Sequence, residues 1–383
     1  MGIRRSGAAT MLLLATSLLA ACSSSSTGTS QPAANATTPA SAGSSGTGNV
    51  AAATAAMTPY LTTPSSIGLT TALNSAPPKG LTVAYLEGNI TAYKLLVPGL
   101  QAATGAVGWN LKIVPFDATN PTSLSAAMEQ AVAEKVNFIL ETGVGSDQFS
   151  AGLAAAQAAH IPVVEAIQNP EKANGIIGCV GCQAATLAGA VAADWIISDS
   201  GAKANVLFDT DPEFTTFAPL QTKFLDTIHQ CGGCTSAVQQ TSTAQLESGA
   251  TGPAIVSYLQ SHPEVNYIFF SLSQLSTGVR SALNAAGVGS KVKIITAGPV
   301  LSNIQSVIDG SEQATFNYAP IGEAMWRAID MMARYQQGMN IADSVNTPIS
   351  SVLWTTANVP KPAAIYDGAT NYQAQYKALW HVS

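Results

Sequence analysis

From Leu81 onward, short apolar runs alternate with longer stretches whose apolar residues recur at helical spacing. The run LTVAYL at 81–86 predicts a buried strand, and the helical spacing is clearest over 123–134. The first half of this region predicts strands 81–86, 111–116, 138–140 and 161–166, with helices 91–104, 123–134 and 147–160 between them. Strands that alternate with helices in this way form a parallel sheet covered by helices on both faces.

The same alternation restarts after residue 182. It predicts helices at 184–197, 217–229, 253–261, 277–286, 304–308 and 323–337, and strands at 204–208, 237–240, 267–270, 291–296 and 313–317. Two consecutive α/β units of similar size predict two Rossmann-like lobes, each built on its own parallel sheet. The fold class predicted from the pattern is therefore α/β.

The chain opens with two arginines and then an apolar run over 8–21. The run is too short to cross a bilayer as a helix, and it predicts a secretory signal peptide over residues 1–21. The sequence Leu19-Ala20-Ala21-Cys22 resembles the lipobox of bacterial lipoproteins, in which the cysteine thiol is lipidated and becomes the mature N-terminus. The resemblance implies a lipid anchor on the outer face of the cell membrane. The alternative is an ordinary secreted protein in which Cys22 is a spare thiol.

After Cys22 the sequence consists mainly of Ser, Thr, Ala, Gly, Asn and Pro. Such a composition cannot bury enough apolar surface to offset the entropy of ordering, so it predicts a flexible spacer. Residues 22–78 are therefore assigned to a lipid-anchored, disordered tether. Within it, the apolar residues of 55–79 are expected to pack loosely on the folded domain.

The whole chain has 383 residues, a net charge of −6 and 10% charged residues. The acidic balance argues against a nucleic-acid partner, which would require a basic face. No later apolar run reaches the length of a membrane span. The composition favours a small molecule or a protein as partner. The protein is expected to be a monomer and to need no cofactor.

Five cysteines are present, and four of them form two C-x-x-C pairs, Cys179 with Cys182 and Cys231 with Cys234. An exported chain meets oxidising conditions, so an even set left after lipidation of Cys22 predicts two local disulfides. Cross-pairing, a four-thiolate zinc site and a redox-active dithiol are the alternatives, although neither pair lies in a thioredoxin-like context. No metal site is predicted.

The order of these elements resembles the type I periplasmic-binding fold, the family of ribose- and other sugar-binding proteins of ABC importers. The resemblance covers residues 79–357 and rests on the segments LTVAYLEGN, AEKVNFILETGVGSDQF, AAAQAAHIPVVEA, LQSHPEVNYIFF and STGVRSALNAAGV. The terminal NYQAQYKALW also resembles the closing helix of many members. The family resemblance implies a small-molecule ligand bound between the lobes and an ABC permease as partner.

The family's topology implies that the chain crosses between the lobes three times, which makes each lobe discontinuous. By resemblance the crossings fall near Ala184, Tyr318 and Thr347. The N-terminal lobe would then comprise 79–183 and 319–347, and the C-terminal lobe 184–318 and 348–383. A three-strand hinge of this kind lets the lobes close on a ligand.

Open parallel sheets bind ligands beyond the carboxyl ends of their strands, so the site should be formed by the facing loops of the two lobes. The loop residues expected to contact the ligand are Glu87, Asn89, Tyr93, Glu141, Gln168, Asp211, Phe214, Ser273 and Tyr318. Simpler roles compete with these: Tyr93 as a residue packed on its own sheet, Glu87 and Glu141 as solvated loop acids, and Asp211 as a helix cap.

The match to sugar-binding members is partial. Where they carry Asp-Arg after the fourth strand this chain has Ile167-Gln168, and a second-lobe Asn-Asp reads as Leu272-Ser273. A later family aspartate reads as Gly298. Each buried sugar hydroxyl left unpaired costs about 1–3 kcal/mol, so a cleft with few charged side chains favours a less polar ligand than a simple pentose.

The sequence contains no G-x-S-x-G elbow, P-loop or H-E-x-x-H motif, and its four histidines show no ligand-like spacing. The chain is therefore predicted not to be an enzyme. It is interpreted as an extracytoplasmic solute-binding lipoprotein that delivers a sugar-like or less polar molecule to an ABC permease. The alternatives are a ligand-sensing protein that signals to a membrane receptor and a structural surface protein with a degenerate cleft.

Overall fold

The structure is a computed structural model that describes residues 46–89, 91–118, 120, 122–169 and 175–383. The predicted signal peptide at 1–21, the predicted lipidation site Cys22 and tether residues 23–45 lie outside the described residues.

The N-terminal lobe is built on a parallel five-stranded sheet. Its strands are β1 (Thr82–Gly88), β2 (Asn110–Phe116), β3 (Phe138–Thr142), β4 (Val163–Ala166) and β5 (Ile176–Val180), and their spatial order is β2-β1-β3-β4-β5. All five residues of β3 are buried. Burial on both faces of the sheet explains why this strand is apolar up to its last two residues, Glu141 and Thr142.

The C-terminal lobe is built on a six-stranded sheet. Its strands are β6 (Asn205–Thr210), β7 (Thr235–Gln240), β8 (Tyr267–Phe270), β9 (Lys293–Ala297), β10 (Ala314–Asn317) and β11 (Val352–Thr355), in the order β11-β10-β9-β8-β6-β7. Every pairing is parallel except that of β10 with β11. The predicted α/β class with two mostly parallel sheets is confirmed.

Helices cover these sheets. They are α1 (Gly46–Met57), α2 (Thr91–Lys94), α3 (Val97–Val107), α4 (Ser123–Ala133), α5 (Ser150–Ala158), α6 (Ala184–Ser200), α7 (Ala218–His229), α8 (Thr243–Glu247), α9 (Thr251–Ser261), α10 (Val279–Ala285), α11 (Leu301–Asp309), α12 (Ile321–Gln336), α13 (Ala342–Asn346) and α14 (Tyr372–Leu379). Among the described residues, none of these helices has both the length and the hydropathy to cross a membrane.

The helix predicted over 91–104 is interrupted in the structure. It forms the short α2 and then α3, whose first turn contains Pro98. Proline has no backbone N–H and clashes with the preceding turn, so it fits the start of a helix but not its interior. The break also separates α2, which carries Tyr93, from the longer helix that packs on the sheet.

The chain passes between the lobes where β5 leads into α6, where β10 leads into α12, where α13 leads into β11, and again where β11 leads into α14. Helix α12 packs on α3, β4 and β5 of the N-terminal lobe, whereas α6 packs on α7 and β10 of the C-terminal lobe. The first three passages lie at residues 181–183, 318–320 and 347–351, and the last lies within residues 356–371.

The C-terminal residues depart from the predicted assignment of 348–383 to the C-terminal lobe. Tyr376 and Trp380 are fully buried in the core of the N-terminal lobe. The Trp380 ring stacks on Trp326 of α12 with centroids 5.1 Å apart, and its Nε1 donates a hydrogen bond to Asp330 Oδ1 at 2.8 Å. The prediction is wrong for this segment because helical spacing shows that a helix has an apolar face, but not which lobe that face covers.

The predicted tether is also wrong over residues 46–78, which are folded. Helix α1 packs on α6 with Ala53 buried, and Ile67, Leu69 and Leu73 are buried in the N-terminal lobe. The sequence over 46–57 is rich in alanine, the residue with the highest helix propensity, and its small side chains suffice for close helix packing. Low hydrophobicity therefore did not indicate disorder in this stretch.

We expect Trp380→Ala to lower the free energy of unfolding by about 3–5 kcal/mol, because it removes a fully buried indole and leaves Asp330 without one donor. Urea unfolding of the purified domain measures the change. Leu301→Ala is the matched control, because this side chain is 51% exposed and should change the free energy by less than about 0.5 kcal/mol. Equal effects of the two substitutions would contradict the packing of the C-terminal segment on α12.

Candidate ligand-binding cleft

The loops that follow the carboxyl ends of the strands bring the two lobes into contact. Asn169, in the loop after β4, donates a hydrogen bond from Nδ2 to the carbonyl oxygen of Thr215, in the loop after β6, at 3.1 Å. This bond joins the N-terminal lobe directly to the C-terminal lobe. The facing loops therefore enclose the space between the sheets where parallel-sheet proteins bind ligands.

The amide atoms beside this contact lack protein partners. Gln168 is 5% exposed, and its Nε2 has no hydrogen-bond partner among the described residues. The Asn169 Oδ1 is buried and likewise lacks a partner in the described part of the chain. A buried donor and a buried acceptor on consecutive residues are two groups that hydroxyls or amides of a ligand can satisfy.

Tyr93 and Glu141 lie together on the N-terminal side. A Cβ at Gly143 would lie 3.7 Å from the Tyr93 hydroxyl, and Glu141 Oε1 accepts a hydrogen bond from Val144 N at 3.2 Å. Burial, with a smaller contribution from the Glu141 carboxylate, raises the pKa of Tyr93 above its usual range. The Tyr93 ring also packs edge-on against Phe116, so it contributes to the packing of its own lobe.

The sequence interpretation missed Glu165. It is fully buried in β4 and lies directly beside Glu141 of β3 in the parallel register. The signal was present in the sequence, because Glu165 is a charged residue within the apolar run IPVVEA. Two buried carboxylates at adjacent strand ends mark this edge of the sheet as polar, and buried acids of this kind occur preferentially at functional sites.

Glu87 and Asn89 lie on the same side. Glu87 is half-buried near the end of β1. Asn89 is exposed, and its Nδ2 donates to Asp117 Oδ1 at 3.0 Å while its Oδ1 accepts from Ala118 N at 3.1 Å. The Asn89 amide therefore joins the loops after β1 and β2, a structural role that competes with ligand contact.

The first loop of the C-terminal lobe is held by two buried acids. Asp209 accepts hydrogen bonds from Thr241 Oγ1 at 2.9 and 3.0 Å, and Asp211 accepts from Thr243 Oγ1 at 2.8 Å. Burial raises the pKa of Asp209 to about 7. Asp211 also accepts from the backbone N–H of Glu213 at 2.9 Å, so both acids order the loop that carries the next aromatic residue.

Phe214 is 38% exposed on this loop, with its ring packed against Phe217 at 5.8 Å. An exposed aromatic ring beside the Asn169–Thr215 contact is available to stack on a ligand. Ser273 is instead fully buried, and its Oγ donates to the carbonyl oxygen of Gly298 at 2.8 Å. Its hydroxyl is therefore used within the C-terminal lobe.

Tyr318 follows β10 at the second passage between the lobes. A Cβ at Gly298 would lie 3.4 Å from Tyr318 Cε1, so the ring lies against the loop after β9. Burial raises the pKa of Tyr318 to about 12. Gly298 has a φ of +65°, and it occupies the position where sugar-binding relatives were expected to carry an aspartate.

A cavity of about 510 Å³ opens beside the passages between the lobes. It shares Tyr318 with the predicted site. The rest of its lining comes from residues outside the predicted site: Tyr60, Gly181, Cys182, Gln183, Ala184, Thr186, Leu187, Ala190, Lys223, Val345, Asn346, Thr347, Pro348, Ile349 and Ser351. The polar loop residues lie elsewhere, and their chemistry identifies the facing loops as the better candidate site.

Both C-x-x-C pairs form local disulfides, Cys179 with Cys182 and Cys231 with Cys234. Their Cα atoms lie 5.8 and 5.3 Å apart, within the usual range for a disulfide. The first disulfide joins Cys179 of β5 to Cys182, next to a passage between the lobes. Among the residues that the structure describes, no group of three or more His, Cys, Asp or Glu side chains is placed to hold a metal ion.

A sequence model of the periplasmic binding protein domain family matches residues 82–340. This chain belongs to that family. No curated protein sequence matches the chain significantly. The two sheets of mostly parallel strands with alternating helices are thus those of a periplasmic binding protein.

Solved structures share this fold at low sequence identity. The glucose-galactose binding protein of Geobacillus stearothermophilus is 20% identical, with a TM-score of 0.62 over 74% of this chain and 100% of that one. A 5-methylthioribose transporter solute-binding protein from Thermotoga lettingae is 15% identical, with a TM-score of 0.63 over 80% and 99%. The fructose-binding periplasmic domain of a hybrid two-component system is 13% identical, with a TM-score of 0.60 over 79% and 95%.

The raised pKa of Asp209 predicts a pH dependence of stability. An acid whose pKa is higher in the folded than in the unfolded state stabilises the fold while it is protonated. The stabilisation by Asp209 is therefore complete below about pH 4 and is lost as the pH rises through about 7. We expect Asp209→Asn to reduce the loss of stability between about pH 5.5 and pH 8, measured by urea unfolding at each pH.

Glu213→Gln is the matched control, because Glu213 is an exposed acid on the same loop. Glu312 has its own pKa raised to about 7 by burial, so part of the pH dependence should remain in Asp209→Asn. A pH dependence that is the same in the wild type, the variant and the control would contradict the assignment to Asp209.

Proposed function

We propose that this chain is an extracytoplasmic solute-binding protein that captures a sugar-like small molecule between its lobes and delivers it to an ABC permease. Membership in the periplasmic binding protein family supports the binding role. Binding and lobe closure are the whole mechanism, and the protein acts as a monomer without catalysing a reaction.

The observation that carries the proposal is a pair of amide atoms, at the contact between the lobes, that find no hydrogen-bond partner among the described residues. Gln168 Nε2 is a buried donor and Asn169 Oδ1 a buried acceptor. Each costs about 1–3 kcal/mol while unsatisfied, and ligand hydroxyls can accept from the donor and donate to the acceptor. The Asn169–Thr215 bond lies between the same loops, so ligand capture and lobe contact involve the same residues.

The ligand class follows from the other residues of the facing loops. The buried carboxylates of Glu141 and Asp211 suit the hydroxyl donors of a sugar, whereas Ile167, Leu272 and Phe214 offer apolar contact. The similar structures include one solved with bound D-allose and one in complex with 5-methylthioribose, a sugar with an apolar substituent. We therefore propose a monosaccharide or a sugar that carries an apolar substituent.

We expect a thermal-shift screen of sugars, substituted sugars, amino acids and aromatic acids to identify a sugar-class ligand for the domain from residue 46 onward. A ligand at about 100 times its Kd should add about 2.7 kcal/mol of stability. No shift with any sugar or substituted sugar would contradict the proposed ligand class.

With that ligand in hand, Gln168→Ala should weaken binding by about tenfold, because about 1.4 kcal/mol of hydrogen bonding is lost. Isothermal titration measures the Kd. The matched control is Gln101→Ala, an exposed glutamine on α3 of the same lobe, which should leave the Kd unchanged. Equal affinities of the two variants would remove Gln168 from the site.

A sensing role is the second candidate, because one structure with this fold is the periplasmic domain of a hybrid two-component system. The sensor would bind the same ligand but report it to a membrane receptor. Uptake of radiolabelled ligand separates the two roles. Deletion of the gene abolishes uptake if the protein serves an importer, and leaves uptake intact while removing a transcriptional response if it serves a sensor.

We further propose that Cys22 carries the lipid that anchors the protein to the extracytoplasmic face of the cell membrane. The lipobox-like Leu19-Ala20-Ala21-Cys22 supports this assignment. Cys22→Ser should abolish incorporation of a radiolabelled fatty acid and shift the protein from the membrane fraction to the soluble fraction. Ser23→Ala is the control, and lipid labelling that persists in Cys22→Ser would exclude this site.

A further inference from the structure

Glu312 is a buried acid between α11 and β10 that the sequence interpretation did not single out. Its side chain is 4% exposed. Its Oε1 accepts hydrogen bonds from Ser276 Oγ at 2.7 Å and from Asn303 Nδ2 at 2.9 Å, and its Oε2 accepts from Thr296 Oγ1 at 3.1 Å. One carboxylate therefore joins three other parts of the C-terminal lobe.

These donors belong to the two neighbouring loops that follow β8 and β9. Ser276 lies in the loop after β8, Thr296 lies near the end of β9, and Asn303 lies in the first turn of α11, which the loop after β9 enters. Asn303 Nδ2 also lies 3.2 Å from the carbonyl oxygen of Ser273. The carboxylate thus holds the two loops together from within the lobe.

Two residues expected in the cleft depend on these loops. Ser273 belongs to the loop after β8, and its Oγ donates to the carbonyl oxygen of Gly298 in the loop after β9. The Tyr318 ring lies against Gly298. A change in how the two loops are held would therefore change the C-terminal wall of the cleft.

Among the described residues, Arg280 of α10 is the charged group that faces the Glu312 carboxylate. Its guanidinium donates to the carbonyl oxygens of Gly289, Val292 and Ser311. The groups that donate to the carboxylate are uncharged hydroxyls and an amide. Burial consequently raises the pKa of Glu312 to about 7, although the three hydrogen bonds and Arg280 oppose the shift.

The two hydroxyl donors each have a second acceptor. Ser276 Oγ lies 2.8 Å from the carbonyl oxygen of Ser273, and Thr296 Oγ1 lies 2.7 Å from Thr315 Oγ1. A hydroxyl has one hydrogen, so each donates either to Glu312 or to its second acceptor. A protonated Glu312 also becomes a donor, and the hydroxyl that accepts from it can turn its own hydrogen to the second acceptor. Protonation then replaces charge-assisted hydrogen bonds with neutral ones, which are roughly half as strong.

We propose that Glu312 is a positioning residue for the cleft: its ionised carboxylate holds the loops after β8 and β9 in the arrangement that binds ligand, and its protonation loosens them. Loops that are already ordered lose less conformational entropy on binding, so the ionised form should bind ligand more tightly. The binding step rests on the proposed function, whereas the network itself is tested without ligand.

Folding stability and ligand affinity should respond to the titration of Glu312 in opposite directions. Because the pKa of Glu312 is raised in the folded state, its contribution to stability is complete below about pH 4.5 and is lost as the pH rises through about 7. Its contribution to ligand affinity increases over the same interval. A residue that served only to stabilise the fold would not separate the two.

The first experiment follows the Glu312 carboxyl group by NMR in the ligand-free protein, labelled with carbon-13 at its glutamate carboxyl carbons. The Glu312 signal is the one that Glu312→Gln removes. We expect a titration midpoint near pH 7. Ser276→Ala should raise this midpoint by about one pH unit, because the ionised form loses a hydrogen bond. The matched control is Asp309→Asn, an exposed acid at the end of α11, which should leave the midpoint unchanged.

The same titration tests whether the loops respond. The backbone amide signals of Ser273 and Gly298 should shift with the Glu312 midpoint, and Glu312→Gln should remove these shifts because glutamine does not ionise. The pKa of Asp209 is also raised to about 7, and its carbonyl oxygen accepts from the N–H of Ser271 in the loop after β8, so Asp209→Asn is measured in parallel and should retain the shifts. A Glu312 midpoint below about 5, or loop signals that titrate equally in Glu312→Gln, would overturn the proposal.

The second experiment measures Kd by isothermal titration at pH values of about 6 and 8. The probes are D-allose and 5-methylthioribose, the sugars bound in two of the similar structures. Binding should be about fivefold tighter at the higher pH, and this ratio should fall toward one in Glu312→Gln but not in Asp309→Asn. An equal ratio in the unmodified protein and Glu312→Gln would overturn the positioning role. Binding of neither sugar would count against the proposed function, and the loop signals would then decide the role of Glu312.

Discussion

The structure depends on a row of buried charges along α12. Glu323, Arg327, Asp330 and Arg334 recur at spacings of three and four residues, and each is at most 1% exposed. Two pairs within the row lie within ion-pair distance, Glu323 with Arg327 at 3.7 Å and Asp330 with Arg334 at 2.7 Å. Buried charges of this kind are tolerated only when all their hydrogen-bonding groups are satisfied, so the helix requires partners from elsewhere in the chain.

Those partners come from segments far apart in sequence. The two acids accept hydrogen bonds from backbone N–H groups and side chains of Ser344, Ser350, Ala369 and Trp380. The two arginines donate to the carbonyl oxygens of Ile67, Thr71 and Thr347 and to the hydroxyl of Tyr376. The segment 67–71, the third passage between the lobes and the C-terminal segment therefore share one set of hydrogen bonds. Removing any one segment would leave a buried charge without its partner, which explains why all three pack on the same helix.

The sequence predicted the parts of the fold that follow from periodicity. Apolar runs such as LTVAYL located the strands, and their alternation with helical stretches gave two parallel sheets. Periodicity did not reveal the roles of α1 and Trp380, because each depends on a surface that exists only after the lobes have formed. Residues 46–57 contain no charge and few large side chains, so composition alone suggested a spacer. The buried charges of α12 were equally invisible, since a helix with alternating charges normally faces solvent.

At the site, the facing loops were predictable from the rule that ligands bind beyond the strand ends. The roles of the individual side chains in those loops were not predictable from the sequence. The amide of Asn89 and the hydroxyl of Ser273 are used within their own lobes, and only the three-dimensional arrangement shows this. Gln168 differs because its amide N–H group finds no partner in the described part of the chain. Sequence order placed these residues in the same loops but could not show which polar atoms remain unused.

The bond between Leu73 N and Leu379 O, at 2.8 Å, has a consequence for biosynthesis. The core of the N-terminal lobe includes Ile67, Leu69 and Leu73 near the start of the folded chain, yet it also includes Tyr376 and Trp380. Contacts between residues so distant in sequence form late, because a long loop of chain must close before they stabilise the fold. The ribosome must therefore synthesise almost the entire chain before the lobe that begins first can complete its interior, and until then its apolar surface is available to chaperones.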